Sequence, residues 1–265
     1  MQKKILIVDD HDDLKTVLTE VFSKIGYSVK STESRQEAVE LDKSNEFDLV
    51  ITDLDGDKAF SEENTDNTCL PTKDVNDFDR SFVKAFKICA TNFKRDNFDE
   101  TELKNLFETI LDYKAQFVDK TAAVKYIREK IEFEFPSALS LMHSILDYLM
   151  KRVEKNGIVD AENSNLFIAL DEAFVNAIKH GNKFDADKIV RISAEVSPTE
   201  ARFTIEDEGE GFDVNAIPDP CDPENLFKSS GRGVLIIHNI MDEVSYNERG
   251  NRLTMIKKSN NRKKI

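Results

Sequence analysis

The sequence predicts two α/β domains in tandem, the first of them built on a doubly wound parallel sheet. Short apolar runs alternate with helical stretches up to residue 53, which is typical of a parallel sheet covered by helices. A stretch without Gly or Pro follows from 101 to 129. Strands, helices and three glycine-containing segments then fill the C-terminal half. A chain of 265 residues is long enough for two domains with cores of their own.

Three aspartates are expected at one edge of the first sheet. The predicted strands are 4–8, 27–29 and 48–52, with helices at 14–25 and 36–41. Because ligands of such sheets bind beyond the carboxyl ends of the strands, Asp9, Asp10 and Asp53 mark the expected site. Clustered carboxylates repel one another unless a hard cation lies among them, and Mg²⁺ prefers oxygen ligands. We therefore expect Mg²⁺ at these three residues, and Asp53 is a candidate phosphoryl acceptor.

This segment resembles a response-regulator receiver domain, in which Asp53 matches the phosphoacceptor and Asp9 and Asp10 match the acidic pair. The resemblance implies an upstream histidine kinase as phosphodonor. The chain departs from the family after Asp53, because 61–79 is polar without a convincing strand and Asp96-Asn97 replaces the usual Lys-Pro. Two interpretations stay open: phosphorylation at Asp53, or a degenerate receiver used for docking or dimerisation.

The stretch from 101 to 129 is expected to be helical, with Asp99 or Thr101 as its cap. Apolar residues recur in heptad phase, interrupted only at Lys120: Leu103, Leu106, Ile110, Tyr113, Phe117, Val124 and Ile127. This pattern fits either one continuous helix, paired in a dimer, or a last receiver helix followed by an independent linker. We place the receiver-like domain at 1–113, a helical connector at 114–129, the second domain at 130–260 and a basic tail at 261–265.

The second domain is expected to mix strands and helices. Strands are predicted at 130–135, 189–196, 201–206, 243–246 and 252–256, and helices at 137–156, 164–180 and 234–241. Gly181 is a good C-terminal residue for the middle helix. The acidic, Pro-containing segment 212–230 is interpreted as a mobile lid.

Seven residues of this domain are candidates for a nucleotide site. Glu172 and Asn176 are four apart and share a helix face. Asn176 offers a neutral oxygen to Mg²⁺, and Glu172 is placed to polarise a hydroxyl or a water. Asp207 can accept a hydrogen bond from the adenine amino group. The remaining candidates are glycines, two that let the backbone approach the base and two that precede a helix whose amides bind phosphate: Gly209, Gly211, Gly231 and Gly233.

These motifs, in this order, resemble the GHKL ATPase superfamily and, within it, the anti-sigma-factor serine/threonine kinases. The resemblance covers about 130–258. It implies a two-layer α/β sandwich that binds ATP and Mg²⁺, with Glu172 as general base and Asn176 as magnesium ligand. It also implies homodimers, and as partners an anti-anti-sigma (STAS-type) protein phosphorylated on Ser or Thr, or a sigma factor.

Composition narrows the class of protein further. The net charge of −14 disfavours nucleic acid as a partner, since that affinity depends on Lys and Arg neutralising phosphates. No apolar run approaches the roughly 20 residues of a membrane span. The three cysteines lack metal-ligand spacing, so we expect reduced thiols and a cytoplasmic protein. The expected function is protein kinase, the alternative a non-catalytic ATP-dependent binding switch. A histidine kinase is disfavoured, because no helix pair with a phosphoacceptor His precedes the ATPase half.

Overall fold

The computed structural model describes residues 2–11, 13–42, 47–55, 70, 83–90, 98–121, 128–160, 164–214 and 232–259. The chain divides into two compact units, 1–136 and 137–265. Among the residues described, no helix combines the length and the apolar character that crossing a bilayer requires.

The first unit is a sheet with the strand order β2-β1-β3-β4-β5, in which β1 lies parallel to both β2 and β3. This confirms the predicted parallel core of the fold. Its elements, in chain order, are β1 (Lys4–Asp9), α1 (Asp13–Lys24), β2 (Ser28–Thr32), α2 (Arg35–Asp42), β3 (Leu49–Asp55), β4 (Val83–Cys89), α3 (Glu100–Tyr113), α4 (Asp119–Thr121) and β5 (Arg128–Pro136).

The fourth strand runs antiparallel to β3 and extends it. Pairing continues as far as Asp55 opposite Lys84, so Asp53 lies within β3 rather than just beyond it. The strand β5 pairs parallel with β4 and packs in the first unit, through Phe133 and Phe135, onto Phe107 of α3. Cys89, at the end of β4, is disulfide-bonded, so the expectation of reduced thiols is wrong for this residue.

The expected helix from 101 to 129 does not reach its predicted end. Asp99 caps α3 by accepting from the amide of Glu102 at 2.8 Å, as predicted. A π-helical turn, Lys114–Val118, then separates α3 from α4, and Arg128 and Glu129 already belong to β5. The hypothesis of one helix joining two domains is therefore wrong. We refer to Lys114–Val118 as the 114–118 turn.

In the described part of the second unit, a sheet of order β6-β7-β9-β8 lies with three α-helices. In β6 and β7 every second residue is buried, which is the pattern of a sheet covered on one face. The fold is the two-layer α/β sandwich that was expected. Its elements are α5 (Met142–Lys155), α6 (Leu166–Val175), β6 (Ile189–Val196), β7 (Glu200–Asp207), α7 (Arg232–Ile240), β8 (Glu243–Tyr246) and β9 (Arg252–Lys258).

Candidate functional site

Glu172 and Asn176 lie at the end of α6, directly against the beginning of α7. A Cβ atom placed on Gly233, the second residue of α7, would lie 2.5 Å from Glu172 Oε2 and 3.5 Å from Asn176 Nδ2. Only a residue without a side chain allows this approach. The first amides of a helix carry partial positive charge and point outward. A carboxylate, a side-chain amide and anion-binding backbone amides therefore meet in one small volume.

Asn176 begins a second π-helical turn, Asn176–Gly181, which continues α6. Such turns are rare and occur frequently at functional sites. The residues Lys183 and Phe184, just beyond it, have φ values of 57° and 58°. A left-handed conformation costs a non-glycine residue roughly 1–2 kcal/mol. The strained residues follow the π turn that begins at Asn176, and strain of this kind clusters at functional sites.

Asn182 holds the strained segment to the sheet. Its buried side chain donates to Ser137 Oγ (2.7 Å) and to the carbonyl of Ile189 (3.0 Å), and accepts from the amide of Glu208 (2.8 Å). All three bonds involve groups that follow or precede strands. Asn182 thus ties the end of the π turn to the start of β6 and to the glycine segment after β7.

Asp207, the last residue of β7, is held between two glycines. A Cβ on Gly181 would lie 2.2 Å from Asp207 Cγ, and a Cβ on Gly209 would lie 2.3 Å from the carbonyl oxygen of Gly181. The amide of Gly209 donates to Asp207 Oδ1 (2.8 Å), and Asn251 Nδ2 donates to the Asp207 carbonyl (2.7 Å). Burial raises the pKa of Asp207, against the lowering effect of the Gly209 hydrogen bond. The carboxyl is thus rigidly placed beside two bare backbones, which suits the recognition of a flat base.

Gly211 is required for a different reason from the one expected. Its φ is 77°, and a Cβ there would lie 1.9 Å from the carbonyl oxygen of Arg249, between β8 and β9. The glycine therefore lets the segment pack on the β8–β9 connection. Phe212 continues this contact, with its ring edge-to-face on Tyr246 at 5.2 Å. The predicted phosphate residue Gly231 and most of the predicted lid, 215–230, lie outside the described residues.

The acidic residues of the first unit come together as predicted. Asp9 and Asp53 are register partners on β1 and β3, and the amide of Asp10 donates to the Asp53 carbonyl at 3.4 Å. Asp9 also caps α1, accepting from the amides of His11, Leu14 and Lys15 at 2.8–3.0 Å. Burial raises the pKa of Asp9, while those backbone hydrogen bonds lower it.

Two buried lysines compensate the charge of Asp53. Lys114 Nζ, from the 114–118 turn, lies 2.5 Å from Asp53 Oδ2, and Lys84 Nζ, from β4, lies 3.7 Å from Oδ1. Burial alone would raise the pKa of Asp53, but the charges of Lys114 and Lys84 and the Lys114 hydrogen bond hold it below its ordinary value. Asp53 Oδ1 accepts no hydrogen bond within the described part of the chain.

His11 lies at the rim of the same site. Its Nδ1 is 2.7 Å from Asp10 Oδ1, and its Nε2 is 2.9 Å from Asp55 Oδ2. Oxygen and nitrogen atoms of Asp9, Asp10 and His11 lie within 4.8 Å of one another, close enough to share a cation. Carboxylate oxygens such as those of Asp9, Asp10 and Asp53 are ligands of the kind that Mg²⁺ prefers. Magnesium at Asp9, Asp10 and Asp53 remains a prediction.

Sequence reasoning missed four residues of these sites: Lys84, Lys114, Asn182 and Asn251. Asp96-Asn97 stands where the resemblance places a lysine, and Asp53 is instead contacted by Lys114, from a helical turn. A signal was available, since Lys114 follows the buried Ile110 by four residues and so continues the apolar face of α3. A single cation on such a face indicates a buried partner.

Comparison with known proteins agrees with both units. The model of the response regulator receiver domain matches residues 5–56, and that of the histidine kinase-like ATPase domain matches 135–257. An anti-sigma F factor of Clostridium perfringens is 32% identical over 106 residues, covering 37% of this chain and 74% of that protein.

Two further relatives carry the same name. The Clostridium botulinum protein is 33% identical over 108 residues, covering 37% of this chain and 73% of the relative. The Bacillus cereus protein is 37% identical over 87 residues, covering 31% of this chain and 58% of the relative. The chain therefore belongs to the anti-sigma F factor family, and it carries a receiver domain ahead of the histidine kinase-like ATPase domain.

Proposed function

We propose that the protein is an ATP-dependent serine/threonine kinase that acts on an anti-anti-sigma (STAS-type) protein and holds a sigma factor inactive. The observation that carries this proposal is the contact at Gly233, which brings the carboxylate of Glu172 and the amide of Asn176 against the first turn of α7. A carboxylate at a phosphate-binding helix is the arrangement needed for transfer to a hydroxyl.

Each residue has a separate role in this proposal. Asn176 would hold Mg²⁺, which would neutralise charge on the phosphates of ATP, the donor of the phosphoryl group. Glu172 accepts the proton of the attacking Ser or Thr hydroxyl as its oxygen bonds to the γ-phosphorus of ATP; the bond from that phosphorus to the bridging oxygen breaks, and ADP leaves. The backbone amides of α7, at Gly233, donate to phosphate oxygens. Asp207 and Gly209 hold the base at the other end of the nucleotide.

The partners are inferred from the family. Two relatives are named anti-sigma F factors, and the match with this chain spans 74% and 73% of their length. We propose that this chain likewise binds a sigma factor and an anti-anti-sigma protein, as a homodimer. We also propose that the receiver domain regulates this binding, with a histidine kinase as the phosphodonor of Asp53.

The deciding experiment uses the full chain as bait in a bacterial lysate, with and without ATP and Mg²⁺. Phosphopeptide mass spectrometry then identifies both the partner and the modified residue. Glu172→Gln should retain ATP binding and lose transfer by about 100-fold or more. Glu154→Gln, which removes an exposed carboxylate from α5, is the matched control and should behave like wild type.

The outcome separates the two candidate functions. ATP-dependent capture of the partner without any phosphorylated Ser or Thr would establish a binding switch instead of a kinase. Undiminished transfer by Glu172→Gln would remove Glu172 from the mechanism. Acid-labile phosphate on His143 would establish a histidine kinase.

A further inference from the structure

Lys114 connects the acidic site of the first unit to the helical segment after α3. Its ammonium group contacts Asp53 on β3 at 2.5 Å and Asp119 on α4 at 3.7 Å. It also lies over the ring of Phe86 on β4, 5.0 Å from the centroid. The side chain is 1% exposed, and those of Asp53 and Asp119 are 4% and 8% exposed. Three elements of the unit thus meet on one buried cation.

We propose that Lys114 couples the carboxylate of Asp53 to the conformation of the 114–118 turn. The ion pair with Asp53 supports the π-helical hydrogen bonding of the turn, and loss of this contact releases it. The lysine reaches the acidic site from a helix, so the site acts directly on the chain between α3 and β5. This inference does not depend on ATP binding or on kinase activity.

The backbone explains why the turn would respond. Lys114 is the first residue of the turn, and its amide is shared between the carbonyls of Ile110 and Leu111. Its own carbonyl accepts the amide of Asp119, which closes the turn. The residue that anchors the side chain to the sheet therefore also starts and ends the π-helical hydrogen bonding. Because π turns are intrinsically unfavourable, this one depends on tertiary contacts of this kind.

Lys84, the other lysine near Asp53, does not belong to the 114–118 turn. Lys84 lies 3.7 Å from Asp53 Oδ1 and 3.9 Å from Asp55 Oδ1, but it projects from β4 and belongs to the sheet. Its loss would alter the charge near Asp53 without removing an anchor of the turn. A buried charge that loses its partner destabilises the element that carries it. Lys114 belongs to the 114–118 turn, whereas Lys84 belongs to the sheet.

Hydrogen exchange of the full-length chain tests the coupling. In Asp53→Asn, the amides of 114–121 should exchange at least about tenfold faster than in wild type, while those of β1 change less than about twofold. Lys114→Gln should have the same effect, and the double variant should add little to either single variant, as expected for two residues that act through one contact. Lys84→Gln should affect the turn less than Lys114→Gln does.

The matched control is Lys104→Gln on α3, where the ion pair with Glu108 is 3.7 Å long and 43% exposed on both sides. It should leave the turn unchanged. Unchanged turn exchange in Asp53→Asn, or additive effects in the double variant, would overturn the proposal. If the Asp53 and Lys114 variants do not fold, Asp119→Asn removes only the weaker partner. It should accelerate exchange in the turn alone, and exchange equal to wild type would then refute the coupling.

Discussion

Replacing Gly233 by alanine should separate folding from function at the nucleotide site. The added Cβ would lie 2.5 Å from Glu172 Oε2, whereas ordinary contacts begin at 3.4 Å, so the carboxylate oxygen must move by about 0.9 Å. The atom that moves is the far end of a flexible side chain. Asn176 Nδ2, at 3.5 Å from the new methyl group, already lies at an ordinary contact distance and can stay.

The two expected magnitudes differ greatly. Alanine in place of glycine stabilises a helix by up to about 1 kcal/mol. Pushing Glu172 off its preferred rotamer costs about 0.5–1.5 kcal/mol. The free energy of unfolding should therefore change by less than about 1 kcal/mol. A displacement of about 1 Å at a reacting group can reduce the rate about 100-fold, so phosphoryl transfer should fall by that factor.

The assay combines urea unfolding of the variant with transfer to the captured partner and with binding of a fluorescent ATP analogue. Asn239→Ala, at an exposed position of α7, is the control and should change none of the three. Loss of more than about 2 kcal/mol of stability would show that Glu172 cannot move as argued. Full activity with normal stability would show that the contact between Glu172 and α7 is irrelevant to transfer.

Three further predictions concern stability. Gly211→Ala should lower the free energy of unfolding in urea more than Gly157→Ala does. Both glycines have a positive φ, which costs alanine about 1–2 kcal/mol. Of the two, only Gly211 faces a backbone carbonyl, at 1.9 Å from the added Cβ. Equal costs would contradict the close packing on Arg249. Asn182→Ala should lower the free energy of unfolding by about 2–3 kcal/mol, because the three groups that bond to the Asn182 side chain lose their partner. Thermal unfolding measures this loss. Burial raises the pKa of Tyr246 from 10.0 to about 12, so its contribution to stability is complete below pH 10 and is lost as the pH rises from 10 to 12. Tyr246→Phe should flatten alkaline unfolding curves over that range, and an unchanged curve would argue against a buried phenol.

The parts of the fold that local pattern determines were predictable. The apolar run of β1, the alternation in β6 and β7, and the cap at Asp99 each express a preference of neighbouring residues. The approach of Asp9 to Asp53 was predictable as well, because parallel strands of one sheet bring their carboxyl ends to one edge.

The direction of β4 and the destination of β5 could not be predicted in this way. Both strands alternate apolar with charged residues, and this periodicity does not determine which neighbour a strand pairs with. The heptad pattern of α3 also misled beyond Ile110. Phe117 is 55% exposed and stacks on Tyr113, while Lys114 and Val118 are buried, because the buried face continues from Ile110 in steps of four residues and not in heptad phase.

The position of Lys114 also changes how the receiver unit is understood. The sequence has Asp96-Asn97 where the receiver resemblance places Lys-Pro, so the sequence alone suggests that the first unit lacks a cation to balance the charge of Asp53. Among the described residues, two lysines face Asp53, and the nearer one belongs to a helical turn and not to a strand end. Since a buried carboxylate is stable only when it is compensated, some cation had to reach it from elsewhere in the chain. A lysine that is missing from its usual position in the sequence is therefore weak evidence for lost function when the aspartate whose charge it would balance is still present.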